Sequence, residues 1–434
     1  MFVSGRFPVA ILALAALAAV APAPPVVVAL VGGGILVAAA GLDVLLAPRP
    51  GDLQLGRDVP AVLTAGKSAT VSLSLHNPVG RPLVVALRDA SPPSLSRRPP
   101  RHGVRLRPRA WGRVSAEIRP ERRGYAALGP VSVRTRGPLG LAGRQATVPV
   151  ADRIKVYPSL PGRRAVELRA ERARALLAGA RPASARGEGT DFDSLREYRS
   201  DDELRRINWR ATARAGRAIA NEYRDERNQQ VVLLLDASRM MAANVAGQSR
   251  FDHVLDAAMA VTYLAVRLGD HAGMAAFDSR VLSMLGPRGG PAQPRRVLDA
   301  LFEVRPSFEA PDYRGAFAAV LSRYRRRAML VLLTELTDRS AMEGLFAALP
   351  ALLSRHVVVV GSVADPVLLE AATSMPETSE AVYRKAAAVA TVAARDGSAS
   401  MLRRLGVPVE DRSPEDLAGA LADRYLRIKS TGRL

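Results

Sequence analysis

The chain has 434 residues, of which 48% are apolar, so it is long enough for two or three folded domains, and disorder of the whole chain is excluded. Its net charge is +21, and nearly all of the positive charge comes from arginine. This composition indicates either binding to an anionic partner or the general use of arginine in place of lysine on solvent-exposed faces. No cysteine occurs, which excludes disulfides, thiolate metal sites and cysteine nucleophiles.

Residues 1–50 contain two apolar runs. The first covers residues 7–21, the turn sequence PAPP follows, and the second runs from Val26 to Leu46, interrupted only by glycines and Asp43. The second run reaches the length of about 20 residues that a bilayer crossing needs. We expect two transmembrane helices. The alternative is a signal peptide with a cleavage site near Ala21.

Arginines flank the outer ends of these runs, Arg6 on one side and Arg49 and Arg57 on the other, whereas the PAPP turn carries no charge. By the positive-inside rule, both ends then face the cytoplasm. We therefore expect a protein of the cytoplasmic membrane, in contact with membrane lipid, with the bulk of the chain in the cytoplasm.

Residues 51–160 show a two-residue periodicity. Val71, Leu73 and Leu75 alternate with polar residues up to the turn signal Asn77-Pro78. Similar short runs recur at 83–87, 113–118, 131–135 and 146–150. This spacing predicts a β-sandwich that serves as a spacer or docking module.

Residues 161–225 are interpreted as a helical linker. Residues 162–180 have a helical composition, and residues 191–214 read DFDSLREYRSDDELRRINWRATAR. Ser200 and Glu203 have the spacing of a capping box, which predicts a helix from about Asp201. On that helix one apolar face would hold Leu204, Ile207 and Ala211.

Tyr198 and Trp209 allow two interpretations of this linker. In the first, the stretch is a brace whose two aromatic rings pack against the following domain. In the second, Trp209 and Arg206 form an exposed hot spot for a protein partner.

Residues 226–434 alternate between strand and helix patterns. We predict strands at 230–235, 272–277, 280–285, 328–334 and 356–362, and helices at 251–268, 291–304 and 340–353. This order indicates a doubly wound α/β sheet, whose ligands bind at the carboxyl ends of the strands. The residues expected on that rim are Asp236, Ser238, Thr334 and Glu335, with Asp312 on a nearby loop.

Two motifs carry a family resemblance. The strand end Asp236-Ala-Ser238-Arg-Met240 resembles a von Willebrand factor type A domain, whose first strand ends in D-x-S-x-S. The stretch LREYRSDDELRRINWRATAR resembles the signature of bacterial membrane proteins of the domain of unknown function 58 family, and GYAALGPVSVRTRGPLGL, at 124–141, resembles the family's preceding segment. The signature residues are Arg196, Glu197, Tyr198, Asp202, Arg206, Trp209 and Arg214.

The resemblance to type A domains implies Mg²⁺ at Asp236, Ser238, Asp312 and Glu335. Met240 replaces the second serine of the motif, and Glu335 stands where aspartate is typical. A thioether is a poor ligand for a cation that prefers oxygen. We therefore expect Mg²⁺ to bind weakly or not at all.

The sequence contains no P-loop, H-E-x-x-H or G-x-S-x-G motif, so we expect no catalytic residues and no small-molecule substrate. The family resemblance implies a non-enzymatic adaptor that works with a MoxR-type AAA+ ATPase in envelope-related assembly. One alternative is metal-dependent adhesion-type ligand binding at the rim. Another is binding to nucleic acid or an anionic surface.

Overall fold

The computed structural model describes residues 1–22, 24–162, 191–199, 207–224 and 229–431, together with 166, 167, 169–171 and 204. The chain divides into two compact units, Met1–Ser159 and Leu160–Leu434. The helix predicted for residues 162–180 falls largely outside the described residues.

The first unit begins with a short strand and two apolar helices, β1 (Phe2–Val3), α1 (Arg6–Val20) and α2 (Pro25–Leu46). Among the described residues, one helix, beginning at Pro25, is long and apolar enough to span a membrane. The helix α1 has 15 residues and is shorter than that length. The two helices pack closely, because a Cβ added at Gly32 would lie 2.3 Å from a methyl group of Leu14.

The rest of the first unit is built from β-strands, as the alternating pattern predicts. The five-stranded sheet has the order β1-β11-β10-β5-β7, the four-stranded sheet β2-β4-β8-β6, and the three-stranded sheet β3-β12-β9. The strands are β2 (Gln54–Asp58), β3 (Val62–Thr64), β4 (Ala69–His76), β5 (Leu83–Asp89), β6 (Leu95–Arg98), β7 (His102–Leu106), β8 (Trp111–Pro120), β9 (Gly124–Leu128), β10 (Val131–Arg136), β11 (Ala142–Val148) and β12 (Asp152–Tyr157).

The two larger sheets share one apolar core. Leu73 and Leu75 of β4 are fully buried in the same cluster as Val85 of β5 and Val133 of β10. These residues are the apolar half of the two-residue alternation, so the pattern placed the buried face correctly.

In the second unit, the described residues between 191 and 224 form a β-hairpin that carries a short helix. Its elements are β13 (Asp191–Glu197), α3 (Trp209–Ala215) and β14 (Ile219–Arg224), and the two strands pair antiparallel. The start of the helix predicted from about Asp201 lies outside the described residues, and the described helix α3 begins at Trp209. Ile207 instead forms a β-bridge with Ala220. We call residues 191–224 the signature hairpin.

The remainder of the second unit is an α/β domain. Its six-stranded sheet has the order β19-β18-β15-β20-β21-β22, with every neighbouring pair parallel except β18 and β19. The elements are β15 (Gln230–Asp236), β16 (Asn244–Val245), β17 (Gln248–Ser249), α4 (Arg250–Arg267), β18 (His271–Phe277), β19 (Val281–Arg288), α5 (Gln293–Phe302), α6 (Tyr313–Arg323), β20 (Met329–Leu333), α7 (Arg339–Leu353), β21 (Val357–Val363), α8 (Pro366–Thr373), α9 (Ser379–Arg404), β22 (Val409–Arg412) and α10 (Leu417–Ser430).

Both faces of this sheet are buried. Val231 and Leu233 belong to a core with residues of α4, α5 and α10. Val232 and Leu234 belong to a second core with residues of α6, α7 and α9. A strand buried on both faces reads as a continuous apolar run, which is why β15, β18, β20 and β21 were predicted to within one residue at each end. The half-buried strand β19, predicted at 280–285, runs three residues further, and β22 was not predicted. The helix α6 was not predicted.

Candidate functional site

The carboxyl ends of β15 and β20 bring together a buried polar group. Thr334 donates a hydrogen bond from its hydroxyl to Asp236 Oδ2 at 2.6 Å, and the Ser238 backbone N–H donates to Asp236 Oδ1 at 2.8 Å. The Tyr313 hydroxyl lies 2.8 Å from the Thr334 hydroxyl. Burial raises the pKa of the Asp236 carboxyl, although these hydrogen bonds oppose the shift. The predicted rim residues Asp236, Ser238 and Thr334 are thus adjacent.

Glu335 continues this rim, but its carboxylate is bound by two arginines. Arg250, the first residue of α4, places Nε 2.9 Å from Glu335 Oε2. Arg395 of α9 pairs with the other oxygen. All three side chains are almost entirely buried. Each arginine is therefore positioned to neutralise charge on Glu335.

Arg395 also connects the outer strands of the sheet. Its Nε donates to Asp411 of β22 at 2.6 Å, and its Nη2 donates to the Ser362 hydroxyl of β21 at 2.7 Å. One guanidinium therefore joins groups at the ends of β20, β21 and β22. The sequence analysis did not identify Arg250 and Arg395 as rim residues, because nothing in the sequence distinguishes these two arginines from the many others in the chain.

Asp312, predicted near the rim, caps a helix in the structure. Its exposed carboxylate caps α6 by accepting the Gly315 N–H at 3.0 Å. The next residue, Tyr313, is the one that reaches the buried group, with its hydroxyl 3.4 Å from Asp236 Oδ2. The loop therefore contributes a phenol to the rim.

The donor set at this rim fits Mg²⁺ poorly. Both oxygens of Glu335 are paired with guanidinium groups, and the Met240 carbonyl accepts from Arg250 at 2.9 Å. In the part of the chain that the structure describes, no group of three or more His, Asp or Glu side chains could hold a metal ion. The Ser238 hydroxyl is buried and has no well-aligned hydrogen-bond partner among the described residues.

In the signature hairpin, the short helix α3 is fixed to β14 by side-chain hydrogen bonds. Asn208 caps the helix by accepting the Ala211 N–H at 3.0 Å, and its amide donates to Asn221 at 2.9 Å. Thr212 accepts the Ile219 N–H through its hydroxyl at 2.9 Å. Asparagine is one of the residues that cap helices best, so Asn208 suits this position.

Trp209 is the first residue of α3, and 70% of its surface is exposed. The brace interpretation, which packs Trp209 against the α/β domain, is therefore wrong for this side chain. Leu204 and Leu195 are also exposed. The hairpin therefore exposes three large apolar side chains to solvent.

The charges around Trp209 are mainly basic. Arg210 and Arg214 are exposed on α3, which has no acidic residue.

The other signature residues lie elsewhere in the hairpin. Glu197 of β13 pairs with Arg217 at 2.7 Å. Arg196 of β13 donates to the Glu197 carbonyl, and the Tyr198 backbone N–H donates to Ala218. Asp202 and Arg206, the remaining signature residues, lie outside the described residues.

The second family-like segment, residues 124–141, ends in a loop that binds Asp43 of α2. Asp43 is fully buried, and its carboxylate accepts the N–H groups of Leu139, Leu141 and Ala142 at 2.7 to 2.9 Å. A Cβ added at Gly137 would lie 2.1 Å from Asp43 Oδ1, so glycine is needed there. We call this arrangement the Asp43 clasp. It joins the apolar helix to the loop between β10 and β11.

Two relatives of this chain are mycobacterial proteins described as uncharacterized. An uncharacterized protein of Mycobacterium bovis and one of Mycobacterium tuberculosis are each 24% identical to it over 202 residues, which are 46% of this chain and 62% of theirs. The chain therefore covers less than two thirds of these relatives. Escherichia coli alpha-2-macroglobulin has 17% identity over 25% of this chain and 7% of that chain, and its TM-score of 0.21 carries no argument. Residues 194–397, which include most of the signature hairpin and the rim, match the family described as protein of unknown function DUF58.

Proposed function

We propose that this protein is a non-enzymatic, membrane-anchored adaptor that binds a protein partner through its signature hairpin. The observation that carries the proposal is the 70% exposure of Trp209 next to exposed Arg210 and Arg214. Tryptophan and arginine dominate the energetics of protein interfaces. The family resemblance implies that the partner is a MoxR-type AAA+ ATPase and that the process is envelope-related assembly.

The chemistry of α3 specifies the kind of surface that the partner presents. Trp209 needs an apolar pocket, and the two arginines need carboxylates at its rim. Such a pocket desolvates the indole ring while the ion pairs set the orientation. The nucleic-acid alternative uses the same arginines, but its affinity would fall steeply with salt because phosphate binding releases counterions.

The apolar helix α2 supports a membrane anchor for this adaptor, because it has the length and composition of a membrane span. The flanking residues Arg6 and Arg49 favour the orientation in which both flanks face the cytoplasm. This orientation stays a prediction, which a reporter fused after Leu434 would test.

For the α/β domain we propose a von Willebrand factor type A-like architecture whose rim is held by protein cations instead of Mg²⁺. The support is the sheet with helices on both faces and the pairing of Glu335 with Arg250 and Arg395. Calorimetric titration of the purified chain with Mg²⁺ is expected to give no heat of binding. Heat that disappears in Asp236→Ala would restore the metal-dependent alternative.

The docking role predicts that Trp209→Ala weakens binding to the purified ATPase by about thirtyfold or more, the effect of losing a hot spot of at least about 2 kcal/mol. The melting temperature should stay within a degree or two, because truncating an exposed side chain changes stability by about 0.5 kcal/mol or less. Binding would be measured by biolayer interferometry with the full chain in detergent.

Trp111 provides a matched control, because it is the other tryptophan of the chain and is 61% exposed on β8. Trp111→Ala should leave binding unchanged. Equal losses in both variants, or unchanged binding in Trp209→Ala, would show that the signature hairpin is not the docking surface. A drop in the melting temperature of Trp209→Ala would return the residue to a structural role.

A further inference from the structure

Six arginines lie where the two apolar helices meet the five-stranded sheet. Arg144 donates from Nε to the Val44 carbonyl at 2.9 Å, and Arg81 donates to the Leu46 carbonyl. Arg134 lies over the ring of Phe2, with 5.1 Å between the guanidinium carbon and the ring centroid. We call the six side chains the arginine collar: Arg6, Arg49, Arg81, Arg134, Arg136 and Arg144.

Little negative charge balances this collar. Asp43 is buried in its clasp, where three backbone N–H groups already bind its carboxylate. Asp52 is exposed in the short turn of helix that follows α2. Among the residues that the structure describes, the ion pairs of this unit involve other arginines and none of the collar. The collar therefore carries a net positive charge that is available to an external anion.

The position of the collar selects the kind of anion. The helix α2 has 22 residues, which correspond to about 33 Å at about 1.5 Å per residue, close to the hydrocarbon thickness of a bilayer. Since Arg81 and Arg144 bond to carbonyls in the last turn of α2, the collar lies at the depth of the lipid phosphates when this helix spans the membrane. A guanidinium group binds phosphate oxygens in a bidentate manner.

We propose that the arginine collar is a binding site for the phosphate of an anionic phospholipid headgroup. The proposal rests on the membrane anchor in the proposed function. It is independent of the partner, because the collar lies in the first unit and Trp209 in the second. A failure of the partner proposal therefore leaves the collar proposal standing, and a failure of the collar proposal leaves the partner proposal standing.

The test uses the full chain in neutral maltoside micelles, titrated with phosphatidylglycerol or with phosphatidylcholine of the same acyl chains. Native mass spectrometry counts the lipids that stay bound. Phosphatidylglycerol is expected to bind at least about tenfold more tightly, since arginines near a membrane surface attract anionic lipids. The triple variant Arg49→Gln, Arg134→Gln and Arg136→Gln should lose this preference. These three exposed side chains make no hydrogen bond to the helix-end carbonyls among the described contacts, so the variant should fold.

The control removes three exposed arginines of the second unit, Arg295→Gln, Arg339→Gln and Arg384→Gln, and should keep the preference. Equal affinity for the two lipids, an equal loss in both triple variants, or an unchanged collar variant would overturn the proposal. Inorganic phosphate added at millimolar concentration distinguishes the two sources of phosphate. Complete displacement of the lipid would mean that the collar binds free phosphate instead.

Discussion

Glu335→Gln is expected to lower the free energy of unfolding of the second unit by about 3 to 5 kcal/mol, the cost of leaving a buried charge without its partner. The carboxylate lies between the buried guanidinium groups of Arg250 and Arg395. A neutral amide would leave the two positive charges facing each other in a low dielectric. This is the largest effect that we expect from a single substitution at the rim.

Hydrogen exchange measured by mass spectrometry is the suitable readout, because a chain of two units does not unfold in a single transition. Peptides from β20 and β21 should exchange faster in Glu335→Gln, while peptides from β4 and β10 should not change. Glu343→Gln is the matched control, since Glu343 makes only an exposed pair with Arg339 on α7. Unchanged protection of β20 in Glu335→Gln would show that the ion-pair network does not stabilise the sheet.

Asp43→Asn should destabilise the first unit by about 2 to 4 kcal/mol. The asparagine keeps one carbonyl oxygen for Leu139 but turns its NH₂ group toward the N–H groups of Leu141 and Ala142. Each buried N–H group left without an acceptor costs about 1 to 3 kcal/mol. The loop between β10 and β11 should then separate from α2.

Limited proteolysis of the full chain in detergent measures this separation, because cleavage within residues 137–142 requires the Asp43 clasp to open. Asp52→Asn is the control, since Asp52 is exposed in the turn after α2. Faster cleavage is expected in Asp43→Asn alone. A cleavage rate equal to that of the unmodified chain would show that the loop holds its position without the carboxylate.

The four inner strands of the α/β sheet could be predicted because each is a contiguous run of residues buried on both faces. β15 was expected at 230–235 and runs from Gln230 to Asp236. The alternation around Leu73 likewise indicated β4. Both patterns are formed by residues close together in the sequence. Burial of their apolar side chains is the main contribution to the stability of such strands, so the spacing of these residues is enough to predict the strands.

The signature hairpin could not be predicted in this way. Ser200 and Glu203 form a local capping pattern, but Glu197 of β13 pairs with Ile219 of β14, more than twenty residues away. A capping box contributes about 1 kcal/mol, whereas strand pairing is decided by all the cross-strand contacts together. The pairing of two strands so far apart in the sequence cannot be predicted from a short segment of residues.

The sequence by itself determined the apolar helix near the amino terminus, the alternation of the β-unit and the succession of strands and helices in the α/β unit. Each of these depends on how apolar residues are spaced within one segment. Only the tertiary structure decided that Trp209 is exposed, that Asp43 is bound by a loop some hundred residues away and that Glu335 meets Arg250 and Arg395. These contacts join residues far apart in the chain. A buried charge needs a partner within hydrogen-bonding distance, and only the fold determines which residue that is.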